Sequence, residues 1–186
     1  MKIFTFSLFT LLFAWNVSAQ RKTIITMQYA GSIGYMSMGG GITSKTQKIH
    51  HELLYGFVPK AYGGPLDKIT YKFTYLPVKW KISKKVTWMP LNPAAFASYN
   101  IGKDYSLQPS YKKYDEDYYW WSPALRLHFG VNTSVELTND NCKNKAILYV
   151  EANTNDRYVT TWWDNTSALN LSDIFFLGAG MKVLLE

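Results

Sequence analysis

The chain has 186 residues, a formal net charge of +7, a single cysteine and an aromatic content of 17%. One domain accounts for this length. Cys142 has no partner for an internal disulfide and reads as an inert turn thiol, and the basic residues are scattered rather than gathered in runs, which argues against a nucleic-acid partner.

The N-terminus reads as an export signal. Lys2 supplies a positive start, residues 3–15 are almost uncharged and apolar, and Val17, Ser18 and Ala19 are the small residues a signal peptidase needs. Cleavage is predicted after residue 19, leaving Gln20 first, with residues 20–186 as one domain. The apolar stretch is too short for a membrane-spanning helix, which needs about 20 residues. No cysteine follows the cleavage site to carry a lipid anchor.

The rest of the chain alternates with period two, the pattern of strands with one apolar and one polar face. The glycine-rich segment 23–43 is divided into strands at 22–30 and 33–43, bent near Gly31 and Ser32. Further strands are predicted at 48–58, 69–80, 90–102, 124–137, 145–154 and 173–185. The clearest is 124–137, where Leu125, Leu127, Phe129, Val131, Val135 and Leu137 face one way and Arg126, His128, Asn132, Ser134 and Glu136 the other. In 69–80, Ile69, Tyr71, Phe73 and Tyr75 oppose Thr70, Lys72 and Thr74. Turn residues separate the strands, notably the 62–67 stretch with Gly63, Gly64 and Pro65.

Eight strands of this kind make an all-β protein, an antiparallel transmembrane β-barrel with an apolar outer and a polar inner surface. An even strand number puts both termini at the periplasmic end and the two longest connections, 103–122 and 155–172, on the outside. The expected location is the outer membrane, with that membrane's lipid and lipopolysaccharide, and other envelope proteins, as partners. A soluble periplasmic β-sandwich that binds a ligand is the alternative, and it requires the apolar 125–137 face to be buried against a second sheet.

The layout resembles the small outer-membrane barrels of lipid A deacylase type and the barrel proteins of Bacteroidetes-like envelopes. The likeness rests on a bent first segment, a strand ending Tyr75-Leu76-Pro77, a proline-rich start to the 90–102 strand and a final strand after a loop. It implies the barrel fold and, as an alternative function, hydrolysis of acyl esters in lipid A or phospholipid. The deacylases carry a His-Tyr-Ser-Asn signature on their penultimate strand. The corresponding residues here, Tyr149, Val150, Glu151, Ala152, Asn153 and Thr154, include neither histidine nor serine.

The catalytic candidates left are His128, Ser98 and Glu136, which share the polar side of their strands and meet only if the 90–102 and 124–137 strands are neighbours in suitable register. Glu52, Glu136 and Glu151 are predicted to face inward as acids and Lys72, Arg126 and Lys182 as bases. Three acids facing three bases read as a paired lumen plug, which leaves no open solute channel. His50 and His51 point to opposite faces and cannot chelate one ion without a bulge, and Asp115, Glu116 and Asp117 lack the ligand spacing of a calcium loop. No metal or cofactor is expected. Tyr118, Tyr119, Trp120 and Trp121, with Trp162 and Trp163, form an interfacial girdle or a partner surface. The expected function is therefore non-enzymatic: a structural or accessory barrel of the envelope with aromatic outer loops.

Overall fold

The computed structural model describes residues 21–102, 105, 122 and 124–185. The predicted leader and most of the 103–122 connection lie outside the described residues. Alternating side chains draw the chain into eight long strands: β1 (Thr23–Ala30), β2 (Met36–Thr43), β3 (Ile49–Val58), β4 (Leu66–Tyr75), β6 (Val86–Ile101), β7 (Leu125–Asn139), β8 (Cys142–Asn155) and β9 (Phe176–Leu185), with a two-residue β5 (Trp80–Lys81) between the fourth and fifth. Each long strand pairs antiparallel with its neighbours in the order β4, β3, β2, β1, β9, β8, β7, β6, and pairing of β4 with β6 closes the ring. The protein is an eight-stranded antiparallel β-barrel. Closure removes the two edges that an open sheet would expose.

Closure also inverts the usual distribution of polarity. Phe129, Leu177, Leu53 and Val150 point outward, each more than half exposed, whereas Lys72, Glu151, Glu52, Thr70 and Ser98 point inward and are buried. The soluble-sandwich alternative fails on this point, since among the described residues no second sheet packs on the 125–137 apolar face. Both described ends of the chain lie at one rim, together with the turns 44–48, 76–85 and 140–141. The connections 31–35, 59–65 and 156–175 lie at the other, where β6 ends and β7 begins.

Several strand limits differ from the sequence expectation for local reasons. The predicted 69–80 strand stops at Tyr75, because Leu76 turns into the barrel and Pro77 cannot donate a ladder hydrogen bond; Trp80 then pairs with Trp88 in β5. The predicted 90–102 strand starts four residues earlier, at Val86. Its prolines are accommodated by a register shift between Met89 and Asn92, a bulge at which Asn92 Nδ2 donates to Met89 O and Asn132 Oδ1, each at 3.0 Å. The 155–172 connection contains a helix, α1 (Asp156–Asp164), capped by Asn155, whose side chain accepts from the Tyr158 amide at 3.1 Å. A 3-10 turn, Leu171–Ile174, occupies the predicted start of the last strand, so β9 begins at Phe176. The bend near Gly31 is a five-residue turn in which Ala30, Gly31 and Gly34 all have positive φ, a conformation that glycine adopts at little cost.

The interior is layered. At the short-turn rim Ile24, Leu76, Met89, Ile147 and Leu184 form an apolar plug. Above it the Tyr149 ring fills the lumen, and it does so because its register partner is Gly180. A Cβ at Gly180 would stand 2.5 Å from both the Tyr149 Cζ and hydroxyl. Gly180→Ala should therefore destabilise the barrel by about 1–3 kcal/mol, whereas Ala179→Val, one residue away and facing outward, should change stability by less than about 0.5 kcal/mol. Urea unfolding of both variants in detergent micelles measures the difference.

Candidate functional site

The middle of the lumen is held by two ion pairs that cross it. Lys72 on β4 meets Glu151 on β8 at 2.6 Å, and Lys182 on β9 meets Glu52 on β3 at 2.6 Å. In each pair the partners stand three strands apart around the ring. Gln28 on β1 links them to the aromatic centre: its Oε1 accepts from Lys72 Nζ at 3.1 Å and from the Tyr149 hydroxyl at 2.8 Å. The Thr26 hydroxyl donates to Glu52. Both ammonium groups lie over the Tyr149 ring, Lys72 at 5.2 Å and Lys182 at 5.1 Å from its centroid, which adds cation–π attraction in a desolvated setting. Buried charges persist only when paired and hydrogen-bonded, and these four are.

Arg126 and Glu136, the other two inward charges expected from the sequence, stand away from this layer. Glu136 lies near the short-turn rim and accepts from Lys145 Nζ at 2.8 Å. Arg126 lies at the long-loop rim, where Nη1 donates to Ser122 O at 2.8 Å and stands 3.7 Å from Asp156 Oδ2. Three acids facing three bases thus resolve into two central pairs and two rim pairs, with Lys145 and Asp156 completing the set.

A second layer lies between the ion pairs and the long-loop rim. β6 and β7 are neighbours with Phe96 opposite His128, which brings the Ser98 hydroxyl within 2.7 Å of His128 Nε2. On the other side of the ring Nδ1 is 2.9 Å from Ser32 Oγ, and the Ser32 hydroxyl donates to Asn153 Oδ1. Asn153 Nδ2 donates to Glu151 Oε1 at 3.3 Å, which sets the orientation of the amide. The single Ser32 hydroxyl hydrogen is therefore committed to Asn153, so Nδ1–H donates to Ser32, and in the neutral ring Nε2 is left to accept from Ser98. In that form a serine hydroxyl is aimed at the basic nitrogen of the ring, the starting arrangement of a nucleophile and its base.

Three features weigh against catalysis there. Ser98 is 0% exposed and His128 1% exposed. Phe96 stacks on the imidazole, with ring centroids 4.8 Å apart and planes 9° from parallel. The nearby charged groups, Lys68 and Arg126, are cationic, so they oppose the imidazolium that base catalysis requires. Glu136, the third catalytic candidate, is eight residues farther along β7, roughly 26 Å away at strand rise.

The remaining candidates are placed as follows. His50 is buried in the lumen, and His51 points outward, its Nδ1 2.7 Å from the Tyr71 hydroxyl. Trp162 and Trp163 sit on α1, with Trp163 74% exposed. Tyr118, Tyr119, Trp120, Trp121 and the acidic 115–117 stretch lie outside the described residues. Among the described residues no group of three or more His, Cys, Asp or Glu side chains is placed to hold a metal ion.

Sequence reasoning did not single out Thr26, Gln28, Ser32, Lys68, Tyr149 or Asn153. Thr26, Gln28 and Tyr149 have the inward parity of their strands and could have been found that way. Ser32 lies in a turn, where parity carries no information. The cavity that Ser32 lines, about 350 Å³ at the long-loop rim, is walled by Tyr35, Tyr62, Tyr158 and Phe176 and also includes Lys68 and Asn155. No protein-family model matches the chain, and no characterised protein matches it significantly.

Removing one member of a crossed pair leaves its partner's charge buried. Lys72→Met is expected to cost about 3–5 kcal/mol, and the double variant Lys72→Met, Glu151→Gln should recover most of that loss. Equilibrium unfolding in micelles with a double-mutant cycle reads both quantities.

Proposed function

We propose that this chain is an outer-membrane β-barrel with a filled lumen, a structural or accessory protein of the Gram-negative envelope that acts through its long-loop rim. The observation that carries this reading is the inverted polarity: strand after strand presents an apolar face outward and a hydrogen-bonded, ion-paired face inward. In water that exterior would be an aggregation surface. In a bilayer it is the required one, because lipid satisfies apolar side chains and closure satisfies the backbone. The filled interior argues against solute transport. The apolar plug closes one rim, the crossed ion pairs fill the middle, and the void between His50, Tyr149 and Lys182 is only about 10 Å³.

In this reading the long connections face outward and the short turns face the periplasm. Exposed Cys142, beside the turn between β7 and β8, is a native probe of that orientation. On intact cells it should resist a membrane-impermeant maleimide and react after lysis, whereas the variant Cys142→Ser, Ser167→Cys should react on intact cells. The folded protein should fractionate with outer membranes and run faster on unheated than on heated gels. A detergent-free, soluble folded monomer would contradict the reading.

The Ser98–His128 contact favours a second reading, hydrolysis of an acyl ester in lipid A or phospholipid. The burial of both groups and, among the described residues, the absence of a carboxylate behind the imidazole make it the weaker one. Ser98→Ala and His128→Ala should leave fatty-acid release from either lipid at the level of the unaltered barrel. Abolition of a measurable ester hydrolysis by both variants would establish the enzyme.

A further inference from the structure

We infer that the cavity at the long-loop rim is a binding site for a small anionic amphiphile, one carboxylate or phosphate group carried on an apolar chain or ring. The argument begins with Lys68. Its strand parity turns it inward, and Nζ lines the cavity with the Ser32 carbonyl as its hydrogen-bond partner at 2.9 Å. Every other lysine that is largely buried in the barrel has a carboxylate: Lys72 has Glu151 and Lys182 has Glu52. Among the described residues no salt bridge reaches Lys68. The one charged group that acts on it among the described residues is Arg126, a second cation. A partly desolvated cation at the wall of an open cavity favours an anion from outside.

The cavity walls supply the apolar half of the site. Tyr35 and Tyr62 stack with centroids 4.4 Å apart, and Tyr158 and Phe176 meet edge to face at 4.8 Å. These two pairs come from the 31–35 turn, the 59–65 connection, α1 and β9, so the site exists only when four separate segments converge. The Tyr35 hydroxyl is pushed up to about 12, chiefly by hydrogen bonding with Tyr62 and then with Tyr29, so it stays uncharged at neutral pH. A volume of about 350 Å³ falls at the small end of the range for ligand sites, about 300–1,000 Å³, which characteristically combine an apolar lining with a few polar anchors. An inorganic anion would leave the aromatic walls unused, and a neutral amphiphile would leave Lys68 without a counter-charge.

The test uses the purified full barrel in neutral detergent micelles and does not depend on where the barrel resides in the cell. Hexanoate, hexyl phosphate, 1-hexanol and inorganic phosphate are titrated while amide resonances of Ser32, Lys68, Tyr158 and Phe176 are followed by NMR. Hexanoate or hexyl phosphate should saturate these shifts, with 1-hexanol and inorganic phosphate at least tenfold weaker. A response to only one of the two anionic probes identifies the head group. Lys68→Gln should weaken binding at least tenfold, Lys68→Arg should retain it, and Lys84→Met at the opposite rim should have no effect. Unheated-gel mobility reports whether each variant is folded. Equal binding of 1-hexanol, equal binding of inorganic phosphate, or undiminished binding by folded Lys68→Gln would each overturn the proposal.

Discussion

Pairing of β4 with β6 is the constraint on which the rest of the structure depends, because it converts eight polar strand faces into one shared interior. An eight-stranded ring leaves room for side chains and little else. The charges at its centre must then find their counter-charges across the lumen instead of in water. Lys72 with Glu151 and Glu52 with Lys182 do so at 2.6 Å each, and because each pair joins strands three places apart, it ties opposite walls of the barrel together. Tyr149 completes the arrangement by placing one ring beneath both ammonium groups and one hydroxyl on Gln28. The absence of a side chain at Gly180 is the steric condition for that ring.

The same requirement limits the chemistry available inside. The hydrogen bonds running from Ser98 through His128 and Ser32 to Asn153 and Glu151 connect the upper layer to the ion pairs. Each side chain along that path has a protein partner. A serine beside an imidazole is reactive only if substrate can reach it and a developing positive charge is stabilised, and here burial and the neighbouring cations act against both. The long-loop rim differs. There the Ser32 turn, Lys68 and four aromatic rings surround an open cavity that no ion pair among the described residues closes.

Much of the architecture was legible from alternation alone. Side chains on a strand point to opposite faces by odd and even position, so the inward direction of Glu52, Lys72, Glu136, Glu151 and Lys182 follows from local sequence, as does the outward direction of Leu127 and Phe129. Six of the strands follow from the same pattern with the turn residues between them, while the division of 23–43 into two rests on the even strand number of such barrels. Limits were harder to read where a single residue overrides the pattern: Pro77 ends β4, the bulge at Pro90 lets β6 start at Val86, and the Asn155 cap starts a helix only nine residues long.

The sequence by itself determined which way each strand residue points, because that property is local and has a period of two. Only the tertiary structure decided which residues meet. Whether Lys72 reaches Glu151 or its cross-strand neighbour Glu52 depends on how eight strands close, and whether Ser98 touches His128 depends on a register set partly by the bulge at Pro90. Ser32 and Lys68 come together because a turn between β1 and β2 folds over the start of β4. Closure and register sum the geometry of the whole ring, so no single strand's pattern contains them.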